Sequence, residues 1–574
     1  MNNLVRPIRF NRRQFVTGVG ASLTLASLGL PAANSRQQVL RGNQFDLSIG
    51  YQEVNFTGQT RTATTVNGML PAPVLRWKQG ERVALNVRNK LATDTSIHWH
   101  GMILPTEMDG VPGLSFGGIK PDSFFRYEFQ VKQHGTYWYH SHSGFQEQTG
   151  LYGAIVIDPI EPEPFVYDRD YVVLLSDWTD EKPQTVYNTL KKQSHFYNWK
   201  ERTLTDLWRD WRNKGVSETA GDRHMWNMMR MSDRDIADVN GTTYTFLMNG
   251  HTPDSNWTGE FKAGEKIRLR FVNASAMSIF DVRIPGLKMT VVASDGQHLE
   301  PVSIDEFRIG TAETYDVIVE PESDTAYCLF AQSIDRSGYA RGTLTPDPSL
   351  SADVPEMDAP VILSHTDMGM NHGAHSGMDH SSMDHSAMGH SPSIAPAGNG
   401  TRSPVVHADT EFGPHIDMRA AMPVQKLDDP GIGLRNNGRR VLSYADLRSL
   451  HSTHDPRDPE RELQLHLNGN MERYMWSING VKFADAEPLQ LRYGERLRIT
   501  LVNDTMMNHP IHLHGMWSDL ETGDAQHIPR KHTVLVQPGS QLSYLVTADA
   551  KGRWAYHCHL MYHMMSMFRE VRVS

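Results

Sequence analysis

The chain has 574 residues and a formal net charge of −10, so it is long enough for several domains and has no basic excess to favour nucleic acid. Only two cysteines are present, Cys328 and Cys558, which excludes a disulfide framework. The 28 His and 28 Met are both abundant for this length and fall in shared clusters, a pairing of imidazole with soft sulfur that points to copper more than to zinc.

In chain order, "NRRQFVTGVGASLTLASLGLPAA" places Arg12 and Arg13 before a short apolar run that ends in small residues near Ala33. Residues 1–35 therefore read as a twin-arginine export signal, which predicts a periplasmic protein. The run is too short, and too rich in Gly, Ser and Thr, to serve as a stable membrane anchor. The mature chain then repeats itself. Val66–Asn89, Leu247–Ser275 and Ser477–Asp504 share Asn-Gly, then Gly-Glu, then alternating apolar and basic residues ending in Asn. Each copy predicts strand, turn and strand, and Arg268–Asn273 has the period of a strand with one buried face.

The copies agree again at "GTYWYHSH" (Gly135–His142) and "GRWAYHCH" (Gly552–His559), whereas the middle copy has Phe330 and Gln332 in place of His. Cys328 is out of register with Cys558 and reads as a small buried hydrophobe. The pattern predicts an all-β protein of three tandem Greek-key sandwich or barrel domains over residues 36–160, 161–348 and 441–574. Between the last two, residues 349–440 form a Met/His-rich linker or insertion with few apolar runs, expected to be largely poorly ordered. It contains "HSGMDHSSMDHSAMGHS", whose period fits neither helix nor strand. His375, Met378, His380, Met383, His385, Met388 and His390 are its candidate accessory copper ligands. "MWNMMRM", Met225–Met231, is either a second Cu(I) site or a Met-rich helix face.

Four segments carry the chemistry: "HWHG" (His98, His100), "HSH" (His140, His142), "HPIHLHG" (His509, His512, His514) and "HCHLMYH" (His557, Cys558, His559, His563). Residues i and i+2 of a strand share a face, so each His-x-His aims two imidazoles at one place, and four such pairs can enclose a metal cluster. Cys558 points the other way, as a separate site with His509 and His563 requires; two His, one Cys and a weak sulfur make the blue-copper pattern.

These segments resemble the copper motifs of the multicopper oxidases, the family of laccase and ascorbate oxidase. The signal, "RMSDRDIADVNG", "HPIHLHGMWSDLE", "MFREVRV" and the His/Met tract resemble its bacterial periplasmic copper-resistance branch. The resemblance implies three cupredoxin domains and four catalytic coppers. It gives type 1 copper to His509, Cys558 and His563, type 2 to His98 and His512, and the type 3 pair to His100, His140, His142, His514, His557 and His559. Asp109 matches an acidic residue that assists proton delivery to oxygen, and equally reads as a turn Asp before Gly110. At the family's usual axial spacing stands Phe568; Met567 is the chosen axial sulfur, with Met564, Met565 or no axial ligand as alternatives. Met564 also stands where some cuprous oxidases carry Glu. Asp504, shortly before His509, is a candidate to orient that imidazole.

The resemblance implies that electrons enter one at a time at the type 1 site and pass through Cys558 to His557 and His559, four of them reducing O2 to water. The favoured substrate is Cu(I), collected by the His/Met tract and supplied by a periplasmic copper carrier. The alternatives are a copper-sequestering protein and a laccase-like phenol oxidase.

Overall fold

The structure, a computed structural model, describes residues 38–370, 400–401 and 403–574, of which Val39–Ser574 form one compact unit. The predicted signal and the His375–His390 tract lie outside the described residues. The strands sort into three pairs of sheets. The first pair has five strands, including His98–His100 and Gly135–His140, facing four that include Arg82–Asn89. The second and third pairs each have a six-stranded and a five-stranded sheet with the same strand order. Arg169–Trp178 runs parallel to Ile267–Asn273 in the second, and Arg461–Asn470 runs parallel to Arg496–Asn503 in the third.

The repeated dipeptides explain the repeated geometry. At Asn67-Gly68, Asn249-Gly250 and Asn479-Gly480 both residues have positive φ, between 51° and 77°, as a tight hairpin turn requires. The closing asparagine of each repeat is a buried tie. Asn89, Asn273 and Asn503 donate through Nδ2 to the carbonyls of Ile119, Ile309 and Val536, at 2.8, 3.1 and 3.0 Å. Asn89 therefore fastens its sheet to a loop, while Asn273 and Asn503 fasten theirs to the last residue of strands Glu306–Ile309 and Thr533–Val536 in the facing sheet, and a buried amide is stable there only because its donors are used.

Two expectations need correction. Ile267–Asn273 is buried on both faces, not one. Its arginine face turns inward because acids meet it: Arg268 reaches Asp316 at 2.6 Å, and Arg270 reaches Asp170 at 2.6 Å and Thr136 of the first sheet pair at 2.9 Å. Buried guanidinium groups need such partners. The described flanks of the 349–440 segment are not poorly ordered. They run as a strap over the second and third sheet pairs, burying Val361, Leu363, Met368, Met418, Leu427 and Leu434. Isolated bridges Glu306–Val441 and Val424–Ser540 and the Arg439–Glu306 ion pair at 2.7 Å hold it there. Scattered single apolar residues, rather than runs, anchor it, which is why composition misjudged it.

The helices bear on the Met225–Met231 alternatives. Pro183–Lys192, Leu204–Lys214 and Val216–Met229 interrupt the second sheet pair, the middle one opened by a reciprocal cap between Thr203 and Asp206. The Met225–Met231 cluster falls at the end of the last helix and is not one face: Met229 is buried, Met225 half-buried and Met228 exposed. Cys328 is buried as expected, and burial pushes its thiol up to about 11. No helix among the described residues is long and apolar enough to cross a membrane.

Candidate metal centre

The four histidine segments sit at the ends of paired strands. His98–His100 pairs with Gly135–His140, so that His98 lies opposite His140, and His509–Leu513 pairs with Gly552–Cys558, so that His512 lies opposite His557. The first and third sheet pairs thereby bring eight imidazoles to one buried place. Their ring nitrogens gather in three groups: His98, His100 and His512; His100, His140 and His559; His142, His514 and His557. A fourth group, His509, Cys558 and His563, is separate.

Six of the eight rings are turned by a partner on the outer nitrogen. His98 Nδ1–H donates to the Asp109 carbonyl at 2.8 Å, His512 Nδ1–H to the His532 carbonyl at 2.5 Å, and His557 Nδ1–H to the Cys558 carbonyl at 3.0 Å. His514 Nδ1–H donates to Asp109 Oδ2 at 2.9 Å, and His140 Nδ1 lies 2.6 Å from Glu147 Oε2. His100 is turned the other way, with Nε2 on Thr533 Oγ1 at 3.1 Å and Nδ1 inward. The inward nitrogens of His98, His100, His140, His512 and His559 are buried without a hydrogen-bond partner. In the third group His514 Nε2 lies 3.0 Å from His557 Nε2, and His142 Nε2 3.5 Å from it. Unpaired buried nitrogens converging in this way are costly unless a further group satisfies them.

Electrostatics keep these rings as neutral donors. Burial first, and then the neighbouring imidazoles, hold His100, His140, His142, His512, His514 and His559 well below the ordinary histidine range, and burial holds His557 at about 4. Protonating one would put a charge among several others in a dry site.

At the separate group, Cys558 Sγ lies 3.5 Å from His509 Nδ1 and 3.9 Å from His563 Nδ1, and the two nitrogens are 3.4 Å apart. His509 Nε2–H donates to Thr505 Oγ1 at 2.7 Å and His563 Nε2–H to Asp238 Oδ2 at 2.7 Å, while Trp476 stacks on His563 at 3.8 Å. Burial pushes the Cys558 thiol far above its ordinary range, so only a bound cation would make it a thiolate here. Met567 is buried beside this group in the core, Met564 is half-buried, and Met565 is 47% exposed.

Asp504 does not orient His509. It turns its carboxylate to His466, at 2.8 Å, and Thr505 does the orienting because its hydroxyl is one residue nearer the ring. Sequence reading also missed Glu147, Asp238, His532 and Thr533. Asp238 is 325 positions from His563, and only packing of the second sheet pair against the third brings them together.

Sequence models of the multicopper oxidase family match residues 48–162, 169–348 and 456–574, and so cover most of the chain. The chain belongs to the multicopper oxidases. It is 58% identical to a copper resistance protein A homolog of Pseudomonas syringae pv. tomato and 55% identical to copper resistance protein A of Escherichia coli, over 99% of this chain and all of each relative. Within the family it therefore groups with the copper resistance proteins A. A solved laccase from Botrytis aclada (22% identity, 94% of this chain, 88% of that one, TM-score 0.62) shares the fold. So does Fet3p, a multicopper oxidase that functions in iron import (18% identity, 93% and 91%, TM-score 0.62). The donor set of this multicopper oxidase suits several copper sites: neutral imidazoles with open lone pairs, and one group adding thiol sulfur.

Proposed function

We propose that the protein is a periplasmic cuprous oxidase of copper resistance, exported through the twin-arginine pathway, with cupredoxin domains over 36–160, 161–348 and 441–574 and the 349–440 segment as a Met/His-rich insertion. Type 1 copper belongs to His509, Cys558 and His563, with Met567 as axial sulfur. Type 2 belongs to His98 and His512, and the type 3 pair to His100, His140 and His559 on one side and His142, His514 and His557 on the other. Copper held by these residues would supply one-electron acceptance at the cysteine group and four-electron reduction of O2 at the histidine groups.

The observation that carries this reading is one strand end. Cys558 closes one group of donors, while its sequence neighbours His557 and His559 belong to two others, so a few covalent bonds of this chain join the sites. Asp109 touches two cluster histidines from a buried position, His514 through its carboxylate and His98 through its carbonyl. That placement supports a part in holding and moving protons. A cationic electron donor suits the other end. Asp238 sits on the His563 edge, its Oδ2 2.7 Å from His563 Nε2. Acidic groups of this kind favour Cu(I) over a neutral phenol.

The deciding experiment is oxygen uptake by copper-loaded protein fed Cu(I), beside a Cys558→Ser control. Uptake near one O2 per four Cu(I), lost in the control, supports the reading. Cu(I) retained without uptake makes the protein a copper-sequestering one, and phenol turnover far above Cu(I) turnover makes it a laccase.

A further inference from the structure

The acid that failed to orient His509 belongs to a second cluster. One ligand atom from each of His407, Glu411, His466 and Asp504 lies within 4.8 Å of the others, with both Nδ1 atoms facing Glu411 Oε2 and Asp504 Oδ2. His407 and Glu411 come from the strap, His466 from strand Arg461–Asn470, and Asp504 from the residue after strand Arg496–Asn503. Glu411 and Asp504 are both buried, and no Lys or Arg among the described residues forms an ion pair with either. Two buried carboxylates side by side need a cation.

The protons show where it belongs. Gln464 is fixed, because its Oε1 accepts from Val406 N–H at 2.9 Å and its amide donates to the Pro404 carbonyl at 3.2 Å. The same Oε1 stands 3.1 Å from His466 Nε2, which must therefore carry the proton and donate it. With a metal bound, His466 would keep that proton and turn its Nδ1 lone pair inward, where Asp504 Oδ2 is 2.8 Å away and Glu411 Oε2 3.2 Å away; without one, Nδ1 would have to carry a second proton. Lone pair facing carboxylate is repulsive unless a positive centre lies between them. An outer N–H given to a carbonyl is also the usual support of a metal-bound histidine.

Each carboxylate divides its oxygens in the same way. Glu411 Oε1 accepts from Ala408 N–H at 2.9 Å and Asp504 Oδ1 from Ala420 N–H at 2.7 Å, which leaves one inward oxygen apiece. Asn468 Nδ2 donates to both inward oxygens, at 3.2 and 3.3 Å. The His407 Nδ1 distances to them are 3.0 and 3.6 Å. The four imidazole-to-carboxylate separations, 3.0 and 3.6 Å from His407 and 3.2 and 2.8 Å from His466, surround the edge of about 3.3 Å that a tetrahedron with bonds of about 2.0 Å would have.

We propose that His407, Glu411, His466 and Asp504 form a closed structural zinc(II) site that clips the strap to the third sheet pair, apart from the catalytic coppers. The strap is thereby anchored downstream of the His/Met tract, next to Thr505, which holds His509.

The test uses copper-loaded full-length protein supplied with Zn2+ and dialysed against a weak chelator. We expect one retained zinc per chain by elemental analysis and a four-coordinate N/O shell near about 2.0 Å in zinc-edge X-ray absorption. His407→Ala with Glu411→Gln should lower zinc affinity at least tenfold while leaving the copper count and blue absorption unchanged. Should the double variant fail to fold, His407→Ala alone serves, since that side chain is 17% exposed. No retained zinc would leave a protonated His–carboxylate network and overturn the proposal. Zinc retained equally in the variants, a sulfur in its shell, or an extra copper taken at this position would overturn it too.

Discussion

The second and third sheet pairs have the same strand order and the same Asn-Gly turns, yet only the third ends its strand Gly552–Cys558 in copper-binding chemistry. In the corresponding strand of the second, Tyr327–Ser333, Phe330 packs on Tyr339 and lies under Arg283, and Gln332 donates to Asp358 at 2.7 Å. The frame is thus stable with or without metal ligands. A few side chains at strand ends decide the chemistry, and packing decides what supports them.

The sharpest way to break that comparison is to remove the ligand that only one copy has. Cys558→Ser should abolish the blue absorption and Cu(I) oxidation, a loss of at least about a thousandfold, while circular dichroism stays native, because the sister strand folds without a ligand there. Unfolding of the variant would show that the third pair depends on its metal. Next, Asp109→Ala removes the carboxylate from His514 and is expected to lower turnover about a hundredfold with the cysteine-site spectrum intact; Asp109→Asn should recover copper content but not rate. Equal rates in Asn and wild type would reduce Asp109 to a positioning residue.

A smaller change, Thr505→Ala, should weaken copper retention at the cysteine site about tenfold, and Asp504→Asn should affect it less, since the hydroxyl and not the carboxylate touches His509. Acid should separate the regions as well. His532 and His557 are buried with pKa values held at about 4, below the unfolded value near 6.5. The unfolded chain therefore binds more protons between these values, and stability falls as pH drops from about 6.5 to 4. The loss is at most about 3 kcal/mol per group. Melting of metal-free protein at pH 7 and pH 5 measures this, and an unchanged midpoint would refute it. The smallest effect is expected from Gln332→His, which should bind no copper. Its neighbouring strand Phe280–Arg283 offers no second imidazole.

Much of this architecture is legible in the sequence because its signals are local. Period-2 alternation, Asn-Gly turns and the His-x-His spacing act over a few residues, and strand geometry converts spacing into direction without further information. The three repeats, the eight clustered histidines and the separation of Cys558 from its neighbours all follow from that rule. Tertiary structure decided the rest. Arg268 and Arg270 are buried only because Asp316, Asp170 and Thr136 meet them, and the strap is ordered only because single apolar side chains find distant pockets. Thr505, Asp238 and Glu147 became partners of histidines, and Asp504 a partner of His466, through contacts whose sequence separation carries no periodic signal. Direction along a strand is a property of the chain, whereas the partner that meets a side chain is a property of packing.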